Sequence, residues 1–218
     1  MRKLGLCSLA LVLLMQSVSA MTRVFFTSQE SVETELVGLI DESQSTIDLA
    51  LFRFASQPLA LAINRARVRH VRLRLVLDGH SEAEGKTNTL GIAFVAGEVR
   101  RLDGKRGGTQ GIMHHKFVLF DKERVVTGSF NWTAGAEHRN YENALLTDST
   151  DVVAAYGNEF ERLWDRAVAI DPGSVGIESP VRGTFEAMGT QLHTPKMSTK
   201  FPSRKPHWKK KKPKRTRY

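Results

Sequence analysis

The chain reads as an α/β domain, and three features of its 218 residues point there. Short runs rich in β-branched and apolar residues alternate with stretches in which apolar residues recur at helical spacing. The two signals interleave along the chain, which is the pattern of an α/β layer architecture. Apolar residues make up 41% and charged residues 25%, ordinary for a globular protein and against wholesale disorder.

Taken in order, residues 22–27, TRVFFT, read as a short strand. Val32, Leu36, Leu39 and Ile40 follow at i, i+4, i+7 and i+8, which predicts an amphipathic helix ending near Ser43. Residues 46–55, TIDLALFRFA, are apolar enough for a buried strand. Ser56 and Pro58 then open a helix carrying Leu59, Ile63 and Ala66. Residues 71–78, VRLRLVLD, alternate apolar and basic side chains as a half-buried strand does. Residues 79–97 give a weak signal with room for one short helix, and 99–103 suit another strand. The glycine-rich 105–111 is a loop, followed by strands at 113–121 and 124–129 joined by a tight Asp-Lys-Glu turn. A strand at 142–147 leads into a helix whose Val152, Tyr156, Phe160, Leu163 and Trp164 share one face, stopped by Asp171-Pro-Gly.

The ends differ from this body. Of 32 Lys and Arg, 11 lie in residues 196–218, where there is no acid, and Arg2 and Lys3 account for two more. The body between is mildly acidic, so the net +9 belongs to a cationic tail. That tail, with three prolines and no periodicity, is expected to be disordered, with 172–195 as linker and the domain itself at 21–171. Three uses of the tail stay open: attraction to polyphosphate with Trp208 and Tyr218 stacking on bases, attraction to an anionic membrane surface, or simple solubilisation. At the other end, Arg2 and Lys3, an apolar stretch, and Val18-Ser19-Ala20 form the pattern of a secretory signal peptide cut after Ala20. An exported protein, periplasmic or secreted, is expected. The single cysteine, Cys7, excludes an internal disulfide framework and a cysteine-built metal site.

Chemistry concentrates in HHKFVLFDKERVVTGSFNW, residues 114–132. Side chains alternate along a strand, so His114 and Lys116 project together and His115 points away. An ammonium beside an imidazole neutralises phosphate oxygens and favours the neutral, nucleophilic ring. Gly128 permits close backbone approach, while the Ser129 hydroxyl and Asn131 amide can donate to the same oxygens.

The spacing His114-x-Lys116, Asp121, Gly128-Ser129, Asn131 resembles the HKD motif of the phospholipase D superfamily, and in particular its small one-motif bacterial endonucleases. The resemblance extends over about residues 22–170. It implies a mixed sheet flanked by helices, phospholipase D-like, and it implies that Glu142 orients the histidine. Asp121, the third letter, sits at a turn and is expected to be structural. No other histidine in the chain has the required offsets. Two imidazoles are needed, one to attack phosphorus and one to protonate the leaving oxygen, so the resemblance implies a twofold homodimer with His114 from each chain. No metal or other cofactor is expected, since lysines and imidazoles can replace the cation.

Three functions follow as expectations. The first is a metal-independent phosphodiesterase, a nonspecific endonuclease on DNA and conceivably RNA, working through a phosphohistidine. The alternative is a phospholipase D or transphosphatidylase acting on membrane phospholipid, for which 91–97, GIAFVAG, is a small acyl-chain candidate. The third is a noncatalytic nucleic-acid-binding protein.

Overall fold

The computed structural model describes residues 20–83, 98–105 and 111–170. The leader bar Ala20, the linker, the tail, residues 91–97 and most of the 105–111 loop therefore lie outside the described residues. In chain order the elements are β1 (Thr22–Phe26), α1 (Val32–Glu42), β2 (Thr46–Leu51), α2 (Gln57–Val68), β3 (Arg72–Asp78), α3 (Gly79–Ala83), β4 (Glu98–Leu102), β5 (Lys116–Phe120), β6 (Arg124–Gly128), α4 (Ala134–His138), β7 (Asn143–Thr147), α5 (Thr150–Arg166) and β8 (Val168–Ala169).

Small polar residues set the helix starts. The Ser31, Ser56 and Thr133 hydroxyls accept from the N–H groups of Thr34, Leu59 and Ala136, capping α1, α2 and α4. The described strands form one sheet in the order β1-β7-β6-β5-β2-β3-β4-β8. The β2–β3 and β3–β4 pairs are parallel and the others antiparallel, so the sheet is mixed as expected.

Both faces are covered. Leu36 and Ile40 of α1 and Leu59 and Ile63 of α2 pack with Leu49, Leu51, Leu75, Val118 and Phe120 on one face. Phe160, Leu163 and Trp164 of α5 pack with Ala50, Val76, Phe117 and Val125 on the other. This double cover changes the expected reading of β3, which is buried along nearly its whole length. Arg74 is buried because its guanidinium is bidentate to Asp48, also bonds Glu161, and lies over the Phe160 and Trp164 rings. Hydrogen bonds donated to Asp48, against a burial penalty, hold that guanidinium firmly charged.

Three boundaries differ from expectation. β2 ends at Leu51, because the chain then turns to pair Phe54 with Trp132 before the Ser56 cap. β5 begins at Lys116, so His114 precedes the strand. On α5 it is Val153 that is buried, while Val152 is exposed.

Candidate active site

Register places the motif. The C-terminal ends of β1, β2, β3, β4 and β6 and the N-terminal ends of β5 and β7 meet at one end of the sheet. His114, Lys116, Ser129, Asn131 and Glu142 all stand at this end. Asp121 does not: it follows the opposite end of β5, roughly 15 Å away by strand rise.

His114 and Lys116 go together in the expected way. The Lys116 ammonium donates to the His114 carbonyl oxygen at 2.9 Å. Both lie against Phe52, just past β2: the imidazole meets its ring edge-on at 4.6 Å between centroids, and the Lys116 Nζ is 5.1 Å from the ring centre. His115 points the other way, its ring against Phe117 and its Nε2 3.5 Å from Glu159 of α5. Partial desolvation, then the Lys116 and Arg53 charges, hold the His114 imidazole below its ordinary pKa, against an upward pull from Asp78. Burial, assisted by Arg53 and opposed by Glu142, likewise lowers the Lys116 ammonium. The neutral form of the ring is thereby favoured.

Ser129 and Glu142 are brought together, though not as expected. Glu142 accepts from the Ser129 hydroxyl and, at 3.0 Å, from the Asn140 amide; its hydrogen bonds within the chain do not go to His114. The Ser129 hydroxyl in turn accepts from the Asn143 N–H at 3.1 Å. Its proton is therefore directed at a carboxylate and not toward a phosphate site. The Glu142 backbone N–H donates to Thr27 at the end of β1, which fixes the rim. Gly128 fills its expected role, since a Cβ there would fall 2.2 Å from the Asn143 carbonyl oxygen. Asn131 leaves a buried side-chain oxygen with no hydrogen-bond partner.

Asp121 is a turn brace. Its carboxylate accepts from the N–H groups of Gln44, Ser45 and Thr46 and from the Ser45 hydroxyl, tying the β5–β6 turn to the start of β2. Asp121 and Lys122 both take positive φ, 54° and 60°, which Asp tolerates. Burial alone would raise this carboxyl, but the three backbone donors and Ser45 overcome it and hold it low.

Two contributors escaped the sequence reading. Asp78, at the end of β3, is fully buried and accepts from the Ser81 and Met113 N–H groups, at 2.7 and 2.8 Å, so it pins the residue before His114. Arg53 lies over the Phe52 ring at 4.8 Å. Its position as the lone cation in an apolar strand was the available signal.

A phosphodiester held here would meet an imidazole and an ammonium at the mouth of one sheet, with a guanidinium beside them. The family described as "Cardiolipin synthase, PLD-like domain" matches residues 36–164, more than half the chain. The chain belongs to this phospholipase D-like family. It is 37% identical over 145 residues to the mitochondrial cardiolipin hydrolase of Xenopus tropicalis, covering 66% of this chain and 65% of that one. It superposes on NucT from Helicobacter pylori with TM-score 0.65 at 24% identity, over 70% of this chain and all of that one. The phospholipase D family member Nuc from Salmonella typhimurium gives TM-score 0.63 at 22% identity, over 70% and 99% of the two chains. These two share the fold. The chain spans between 52 and 65% of the length of vertebrate mitochondrial cardiolipin hydrolases that it matches.

Proposed function

We propose that this protein is a phosphodiesterase that cuts nucleic-acid strands, DNA foremost, in a homodimeric site built from two copies of His114. The observation that carries the reading is an imidazole of depressed pKa set with Lys116 against Phe52, beside the further cation Arg53, a grouping that suits a polyanionic strand. The 11 basic residues after 195 would hold a polyanion near an otherwise acidic body.

In the first step the neutral His114 imidazole attacks phosphorus in line, a P–N bond forms and the P–O bond to the leaving group breaks. The protonated His114 of the second chain gives its proton to the departing alkoxide. In the second step that same ring takes a proton from water, the oxygen attacks phosphorus, and the P–N bond breaks to release a phosphomonoester. Lys116, with Asn131 at the rim, stabilises the non-bridging oxygens as charge builds. Glu142 acts through Ser129 within one chain. Asp121 and Gly128 keep the fold that presents these groups. No step calls for a metal.

The test is purified protein with plasmid DNA in chelator across a broad pH range, run beside size-exclusion chromatography with light scattering. Nicked and linear product from a dimeric species supports the reading. Intact supercoil throughout, or activity from a strictly monomeric species, would overturn it.

A second reading, hydrolysis of a membrane phosphodiester, is favoured by one observation: the 37% identical relative is named a cardiolipin hydrolase. Cardiolipin vesicles assayed alongside the plasmid separate the two. Export of the mature chain after Ala20 is proposed with either reading, on the leader pattern alone.

A further inference from the structure

Arg53 stands at the site end of the sheet without the partners that other arginines here have. Arg23, Arg65, Arg69, Arg72, Arg74, Arg124 and Arg162 each face a carboxylate. Among the described residues no carboxylate pairs with Arg53, and its buried Nε has no hydrogen-bond partner. A buried donor left open costs free energy unless something fills it.

Its place is set from several sides. Leu51 faces Lys116 across the β2–β5 ladder, and the next residue, Phe52, continues it by donating its N–H to the His115 carbonyl. Arg53 follows, and its own carbonyl accepts from the Trp132 N–H at 3.2 Å, one residue past Asn131. Phe52 thus carries three groups on one ring: the His114 imidazole, the Lys116 ammonium and the Arg53 guanidinium. The Arg53 charge works against the Lys116 charge, with Glu142 opposing it, and two anionic groups spaced along one ligand would relieve that repulsion. A guanidinium presents several donors in a planar fork, which suits the two free oxygens of a phosphodiester.

We propose that Arg53 grips the phosphate next to the scissile one, so that the site selects a strand of consecutive phosphodiesters over an isolated diester. The inference rests on the nuclease reading and specifies its substrate as at least a dinucleotide step with a flanking phosphate. Lys116 serves the reacting phosphate and Arg53 its neighbour.

The test compares wild type with Arg53→Gln and Arg53→Lys on three probes: a short fluorescein-labelled oligothymidylate, bis(p-nitrophenyl) phosphate, and cardiolipin vesicles. Arg53→Gln is expected to lower kcat/KM about tenfold on the oligonucleotide, the worth of one charged hydrogen-bonding contact. On the isolated diester the loss should stay below about threefold. The salt dependence of oligonucleotide binding should flatten by about 0.7 in log–log slope, the share of one phosphate contact to a single strand. Arg53→Lys should regain the slope but only part of the rate. Equal losses on the oligonucleotide and the small diester would overturn the proposal, as would no loss on either. A loss confined to cardiolipin, whose two phosphates are linked by glycerol, would overturn the strand assignment. Failure of wild type to cut the oligonucleotide removes the nuclease reading and this inference with it, whereas cutting with an unchanged substrate ratio removes this inference alone.

Discussion

The two ends of β5 hold two letters of the same motif under opposite conditions. At one end the Asp121 carboxylate is satisfied by three backbone N–H groups and a hydroxyl. At the other, Lys116 and Arg53 both lie over the Phe52 ring, the Arg53 Nε and Asn131 Oδ1 are buried and unpaired, and the His114 imidazole is exposed. A motif read as one unit therefore divides into an end where the Asp121 carboxylate is fully hydrogen-bonded and an end where buried polar atoms are left unpaired, the end to which the proposed function assigns the chemistry.

The sharpest way to break this comparison is His114→Ala. Turnover should fall by at least ~10⁴-fold while the melting temperature moves little, measured by plasmid cleavage and thermal unfolding. Residual single-site turnover near the wild-type rate would show that the reactive end lies elsewhere. Lys116→Met comes next, with kcat expected to drop about a hundredfold or more. Burial would still hold the His114 pKa down, but removing the ammonium lets it rise toward its ordinary value. The acidic limb of the kcat/KM profile should then move to higher pH.

The structural end should respond in the reverse manner. Asp121→Ala is expected to destabilise by about 2 kcal/mol, roughly 5 °C, with kcat of the folded protein within about threefold of wild type. Because the folded carboxyl is held low, its contribution is present above its ordinary value of about pH 4 and is lost as pH falls through the folded value. The gap between variant and wild type in urea midpoints should accordingly close in acid. An Asp121→Ala protein that is stable yet inactive would erase the distinction between the two ends. The smallest effect on the pH profile is expected at Asp78, whose charge pulls the His114 pKa upward. Asp78→Asn should shift the acidic limb down by a fraction of a pH unit, opposite in sign to Lys116→Met, and cost about 1–3 kcal/mol through the donor it leaves facing a buried N–H.

Much of this was legible in the residues. The offsets from His114 to Asn131 placed four side chains at one end of a strand pair, because strand alternation and a hairpin turn are local rules. The structural role of Asp121 followed from its turn position. What escaped was long-range. Nothing near Asp78 in sequence says that it will accept the Met113 N–H, 35 residues on. Arg74 looked like an exposed strand residue because Asp48 and Glu161, which let it be buried, lie 26 and 87 residues away. The Glu142–Ser129 contact depends on β6 and β7 meeting in one register, so a residue-by-residue role could not anticipate which partner the carboxylate takes.

Gly128 bears on how such a site can be dissected. With the Asn143 carbonyl oxygen 2.2 Å and the Ala144 Cα 2.9 Å from where its first side-chain atom would be, even a methyl group would wedge two neighbouring strands apart. A dead enzyme carrying that substitution would speak of a pried-open hairpin stack and not of phosphate chemistry. Alanine scanning of the motif is consequently informative at His114, Lys116 and Asn131, and mute at the glycine between them.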